Sequence, residues 1–177
     1  MNAKNEKQFQ QLEAKKKRLF AALADYSQET LSLPEKEGAW SVLQCIHHLY
    51  ITEMGTDMYI RKKTQKPELI PPSSMMAAVK LQALKYTFCS PIKFKAPEIL
   101  PKAPADTTLE KIDNDWVGVR ASLHALMNEL PEDLQQKGIF KHPLAGRINM
   151  AQTLDFIDFH FDRHEGQVHR VLKAVTK

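Results

Sequence analysis

His160 and His164 lie four residues apart near the C-terminus, in a segment where Leu154, Ile157, Phe161, His164, Val168, Val171 and Val175 follow one another in steps of three and four. That rhythm predicts a helix with one buried seam, and His164 occupies a seam position where an apolar side chain is expected. His160 sits about one turn earlier on the same face. Two imidazoles arranged in this way can present ring nitrogens to one cation, a recurrent helical geometry for zinc and nickel. The pair alone is an even choice between metal ligation and ordinary hydrogen-bonded core histidines. The stretch HEGQVH from His164 to His169 is close to the zincin pattern but fails it. Its second histidine is five residues on, about 140° out of phase at 3.6 residues per turn, so His169 falls outside the site.

A metal site needs a third protein ligand, and the adjacent His47 and His48 supply two candidates. Helical phase relative to Ile46, Leu49 and Tyr50 slightly favours His47. Glu53 and Asp158 are candidates for orienting a histidine or moving a proton, although ordinary exposed carboxylates are the commoner role for each. Cys45 lies three residues before His48, so a Cys-His nucleophile is geometrically open, but a small buried core residue is the better reading. Arg163, between the two C-terminal histidines, meets either solvent or an anionic substrate. The sequence contains no G-x-S-x-G elbow, Walker loop or dinucleotide fingerprint.

These residues need elements to hold them. Glycine is scarce, with six in 177 residues, and apolar residues recur at helical spacing. The first helix is predicted from about Lys4 to Tyr26, its apolar side carrying Phe9, Leu12, Leu19, Phe20 and Leu23. Its Lys15-Lys16-Lys17-Arg18 run reads as a solvated face. After the linker LSLPEKEGAW, Ser41 is expected to cap a second helix reaching Lys63, with Gln44 closing a capping box and Trp40 packing on the first turn. Seven prolines follow: Pro67, Pro71, Pro72, Pro91, Pro97, Pro101 and Pro104. No long helix crosses them, although a shorter one fits from Ser74 to Phe88, where Met75 and Met76 read as packing. A third helix starts near Thr107 with Glu110 in the capping-box position, buries Ile112, Trp116, Val119, Leu123, Leu126 and Leu130, and stops at Pro131. A loop from Glu132 to Ile148 leads to Asn149, which caps the fourth helix with Gln152 as its box partner.

Hydrophobic content of 43% and charged content of 26% suit one globular domain over residues 1–177. The net charge of +4 is explained by a lysine-rich surface without invoking nucleic acid. Cys45 and Cys89 form no C-x-x-C pair, so no disulfide framework is expected. With no apolar stretch suited to a signal peptide or membrane span, the expected location is the cytoplasm.

The stretch GAWSVLQCIHHLYITE from Gly38 to Glu53 resembles a signature of the DinB/YfiT superfamily. There a Trp-Ser helix start precedes a metal-binding histidine and a leucine, with a glutamate further along. The ending HPLAGRINMAQTLDFIDFHFDRHEGQVHRVL from His142 to Leu172 resembles the family's other half, with its His-Pro loop and His-x-x-Arg-His-x-x-Gln run. Both motifs stand in the expected order, and the resemblance spans nearly the whole chain. It implies an all-α four-helix bundle of up-down-down-up topology, with a long proline-rich connection between helices two and three. It implies His48, rather than His47, as the ligand joining His160 and His164 around a divalent metal ion, zinc or nickel. It also implies three functions, ranked in this order. The first is transfer of a low-molecular-weight thiol onto an electrophile, the second is metal-dependent hydrolysis, and the third is a non-catalytic, stress-associated metal- or partner-binding module. The expected partner is a small-molecule substrate, with neither nucleic acid nor membrane, and a homodimer is left open. The proline-rich stretch and the His142-Pro143 loop are expected to rim the pocket.

Overall fold

The structure is a computed structural model that describes residues 3–88, 103–104 and 107–177. Cys89, Pro91, Pro97 and Pro101 lie outside the described residues.

Four long helices follow the predicted positions: α1 (Ala3–Leu23), α3 (Val42–Thr64), α5 (Leu109–Glu129) and α7 (Met150–Val175). Local chemistry sets their starts. The Ser41 hydroxyl accepts from the Gln44 amide while the Gln44 side chain accepts from the Ser41 amide, and Asn149 and Gln152 repeat the exchange at α7. Each box satisfies donors that the first helical turn leaves without partners. At α5 the expectation was one residue early. Thr108, not Thr107, is the cap, its hydroxyl accepting from the Lys111 amide, so Glu110 has no box role. Thr107 is buried and its carbonyl accepts from Gln28.

Three features were not foreseen. A five-residue helix α2 (Gln28–Ser32), capped by Ser27, interrupts the first connection. The loop after Pro131 contains the one-turn α6 (Glu132–Gln135) and a hairpin of β1 (Phe140–His142) and β2 (Gly146–Ile148). Between α3 and α4 (Met75–Phe88) a short 3-10 turn spans Pro67–Leu69.

Cross-helix pairs fix the directions. Glu6–His124 and Lys16–Asp113 run α1 antiparallel to α5, whereas Glu53–Arg120 and Arg61–Glu129 run α3 parallel to α5. Gln8–Asp155 and Lys15–Asp162 make α1 and α7 parallel. The order is therefore up, down, down, up. Parallel α3 and α5 require a connection that returns along the bundle, which explains the long excursion between them.

The core has two apolar parts. One gathers Phe9, Leu12, Ile60, Leu123 and Met127 with Leu154, Phe156 and Phe159, and α4 adds Leu81 and Leu84. The other gathers Leu19, Leu23, Ile46, Leu49, Ile112, Trp116, Phe161 and Val168. Between them lies a polar layer centred on Glu53 and Arg120, each 2% exposed. Among the described residues no helix is long and apolar enough to cross a membrane.

Candidate metal centre

His48 lies two turns into α3, and His160 and His164 lie on the third and fourth turns of α7. Because α3 packs directly on α7, the three imidazoles meet inside the bundle at 8–9% exposure. One ring nitrogen from each lies within 4.8 Å of the others. The His48 and His160 Nε2 atoms are 3.2 Å apart. Two nitrogens on one tetrahedral cation at the usual bond length of 2.0–2.1 Å stand roughly 3.3 Å apart. The pair is therefore already spaced like two ligands.

The surroundings hold these rings in place. His164 donates from Nδ1 to the side-chain Oε1 of Gln167 at 3.1 Å, which leaves the Nε2 lone pair available, the usual device for orienting a ligating histidine. Trp40 lies 5.1 Å from the His48 ring and stacks on His164 at 6.0 Å. Phe156 stacks on His160 at 5.3 Å, and Phe88 at the end of α4 approaches the same ring at 6.1 Å. His48 Nδ1 is buried and has no hydrogen-bond partner.

Burial keeps all three rings neutral, and their neighbours add to it. The His48 pKa is pushed down to about 4 by burial and then by His47. That of His164 falls to about 3 through burial and His48, against the bond to Gln167. Burial, followed by His164, His48, His142 and Arg163, holds His160 well below the ordinary range. Neutral imidazole is the form that donates a lone pair to a metal. Among the described residues no Asp or Glu joins this cluster.

The other sequence candidates lie elsewhere. His47 is also buried, but it turns toward Tyr50 and a cavity of about 340 Å³ beside α5, shared with Met54, Lys111 and Asp115. Glu53 is neither an exposed carboxylate nor a partner of a histidine. It accepts from Trp116 Nε1 at 2.8 Å and from two nitrogens of Arg120 at 2.5 and 2.7 Å. Asp158 pairs with Lys15 toward α1. Arg163 donates to the Phe88 carbonyl and lies over the Phe88 ring, tying the end of α4 to α7. Cys45 is fully buried, and burial raises its thiol pKa to about 12, which disfavours the thiolate and fits a small core residue. His169 is exposed.

Residues 89–102 of the expected rim lie outside the described residues. His142 is buried against Phe156 at 4.5 Å, one ring away from His160. The Pro71 carbonyl instead accepts from the Gly138 amide, and Pro72 bridges to Lys137. That segment follows the far end of α3, about 24 Å along the helix from His48 at 1.5 Å per residue. A further groove of about 750 Å³, lined by Lys16, Phe20, Tyr26 and Asp113 among others, lies between α1, α2 and α5 and touches none of the three histidines.

The roles of Gln167, Phe156 and Phe88 were not foreseen. Only the i, i+3 spacing of His164 and Gln167 carried a local signal. The aromatic contacts depend on helix packing.

Comparison with known proteins agrees with this geometry. The DinB superfamily model matches residues 11–168. A protein of Bacillus mycoides (strain KBAB4) named "Putative metal-dependent hydrolase" is 27% identical over 168 residues, covering 92% of this chain and 82% of its own. A Bacillus cereus (strain 03BB102) protein of the same name is 27% identical over 172 residues, covering 94% and 84%. The structure of YfiT from Bacillus subtilis, described as "a probable metal-dependent hydrolase with an unusual four-helix bundle topology", superposes with a TM-score of 0.64 over 98% of this chain and 89% of that one. At 19% identity this last likeness is one of fold.

Proposed function

The chain belongs to the DinB superfamily, and from that premise we propose that it is a divalent-metal-dependent enzyme, a hydrolase of a small molecule, with His48, His160 and His164 as its protein ligands. The observation that carries this reading is the convergence of three buried, neutral imidazoles on one point. Relatives named as metal-dependent hydrolases support the reaction class. Three nitrogen ligands suit zinc or nickel and leave coordination positions for water or substrate. When bound, the cation supplies Lewis acidity that makes a coordinated water or thiol nucleophilic near neutral pH. The protein's part is positional. Gln167 fixes the His164 tautomer, and Trp40, Phe88 and Phe156 wall the rings with apolar surface that thins out water.

One observation favours transfer of a low-molecular-weight thiol as a second reading. Among the described residues the cluster that could hold the cation consists of three histidines and no carboxylate. A thiol coordinated as thiolate attacks an electrophile without one.

The test begins with elemental analysis of protein purified without added metal, where one zinc or nickel per chain is expected. The loaded protein is then offered ester and amide substrates, and separately a panel of thiols with a chromogenic electrophile. Thiol-independent cleavage lost in His160→Ala supports the hydrolase. Turnover that requires thiol supports the transferase. Stoichiometric metal with silence in both panels refutes an enzyme and leaves a binding module.

A further inference from the structure

We propose that His142, which lies outside the three-histidine cluster, donates a hydrogen bond from Nε2–H to the substrate oxygen that gains negative charge at the centre. This rests on the metal-dependent reading above and assigns a fourth histidine to the same site.

The hairpin settles the tautomer. The backbone amides of Leu144 and Ala145 both donate to His142 Nδ1, at 3.2 and 3.1 Å. Two N–H groups aimed at one ring nitrogen require a lone pair there, so the neutral ring carries its proton on Nε2. Nothing among the described residues accepts from that Nε2–H, and the atom is not sealed off as a buried unsatisfied group. The ring itself is 6% exposed. A buried imidazole pinned by its inner nitrogen therefore presents a fixed donor with no protein acceptor.

Its place in the fold sets that donor one aromatic ring away from the centre. β1 ends at His142, and its ring packs edge-on against Phe156 at 4.5 Å. Phe156 in turn stacks on His160 at 5.3 Å. A charge on His142 would act on His160. Gly146, paired with His142 in the hairpin, has a φ of 87° that closes the tight turn. A donor held on a rigid turn needs no reorganisation when charge develops, which is where such groups contribute most.

A purely architectural role, in which His142 only locks the turn, is separable by substitution. Asparagine's Oδ1 can accept from amides two and three residues on, as in an Asx turn, and so preserves the lock. It cannot place a donor where Nε2–H stands. The test uses full-length protein loaded with cobalt, with acetate as the oxyanion probe and cobalt visible absorption as the readout. His142→Asn is expected to bind cobalt one to one with wild-type affinity and to lose acetate affinity by about 10- to 100-fold, the range for a hydrogen bond to a charged group. Equal acetate affinity in the two proteins overturns the proposal, as does a cobalt-loaded wild type that ignores acetate. Should His142→Asn fail to fold, imidazole 15N NMR of wild type decides: the His142 Nε2–H resonance must move on acetate binding, and a stationary one overturns the assignment. A wild type that takes up no cobalt defeats the underlying metal reading instead, so the two failures are distinct.

Discussion

Replacing Glu53 with alanine should destabilise the bundle strongly while sparing the three histidines. In the folded protein the Arg120 guanidinium is 3% exposed and held on both sides, by Glu53 and by Glu13. Burial works against the Arg120 charge, yet Glu53 and then Glu13 hold its pKa above the ordinary guanidinium value. Glu53→Ala removes two charge-assisted bonds and the acceptor for Trp116 Nε1. It leaves a buried cation whose remaining partner, Glu13, has a side chain 41% exposed. Breaking one side of a buried pair costs about 3–5 kcal/mol. That is a large share of a total stability of roughly 5–15 kcal/mol. For a chain of this length each kcal/mol lowers Tm by about 2–4 °C, so a fall of about 6–20 °C is expected. Thermal melts followed by circular dichroism, with urea titrations alongside, read the change. Glu53→Gln, which keeps an uncharged acceptor of the same shape, should lie between wild type and Glu53→Ala. An apolar pair, Glu53→Leu with Arg120→Met, should recover much of the loss. If Glu53→Ala melts within 2 °C of wild type but binds no metal, the polar layer serves the centre and the structural account of Glu53 is wrong.

Three further outcomes follow from the site. His48→Ala should lose stoichiometric metal, whereas His47→Ala, facing the α5 side, should keep it; elemental analysis of both decides, and the reverse result would exchange the ligands. The ring of Trp40 lies against both His48 and His164, so nickel or cobalt should quench tryptophan emission, and Trp40→Phe should abolish the quenching while Trp116 still emits. The metal-free protein should lose stability as pH falls. His48 and His164 titrate at about 4 and about 3 when folded, below the ordinary 6.5 of the unfolded chain. Above pH 6.5 the rings are neutral in both states; below it the unfolded chain takes up protons that the fold refuses, and stability drops toward pH 4. A urea midpoint that stays flat from pH 6.5 to 4.5 would contradict neutral burial of these rings.

Much of the architecture is visible in short stretches of chain. The capping boxes at Ser41 and Asn149 involve residues three apart, so their chemistry can be read before any tertiary contact is known. The same holds for the α7 seam and for His160 and His164 one turn apart. The misplacement at α5 has a tertiary cause instead. Thr107 and Thr108 are both competent caps, and burial of Thr107 against Gln28, a contact 79 residues away, leaves the capping to Thr108.

Helical phase leaned slightly toward His47, whereas His48 is the one that meets His160 and His164. The two side chains point about 100° apart on α3, and α3 is covered by α5 on one side and by α7 on another, so both histidines are buried. A helix with two buried faces has a broad apolar stripe, and phase within it does not name the neighbour. Glu53 carried no sign of burial either, because its partners Trp116 and Arg120 are 63 and 67 residues away. The chain's own order of residues thus determined the four long helices, the caps at Ser41 and Asn149 and one pair of imidazoles, all of which depend on interactions within a few residues. Tertiary packing alone decided which third histidine faces that pair, which carboxylate is held inside the bundle and where His142 lies, because each depends on how separate elements meet.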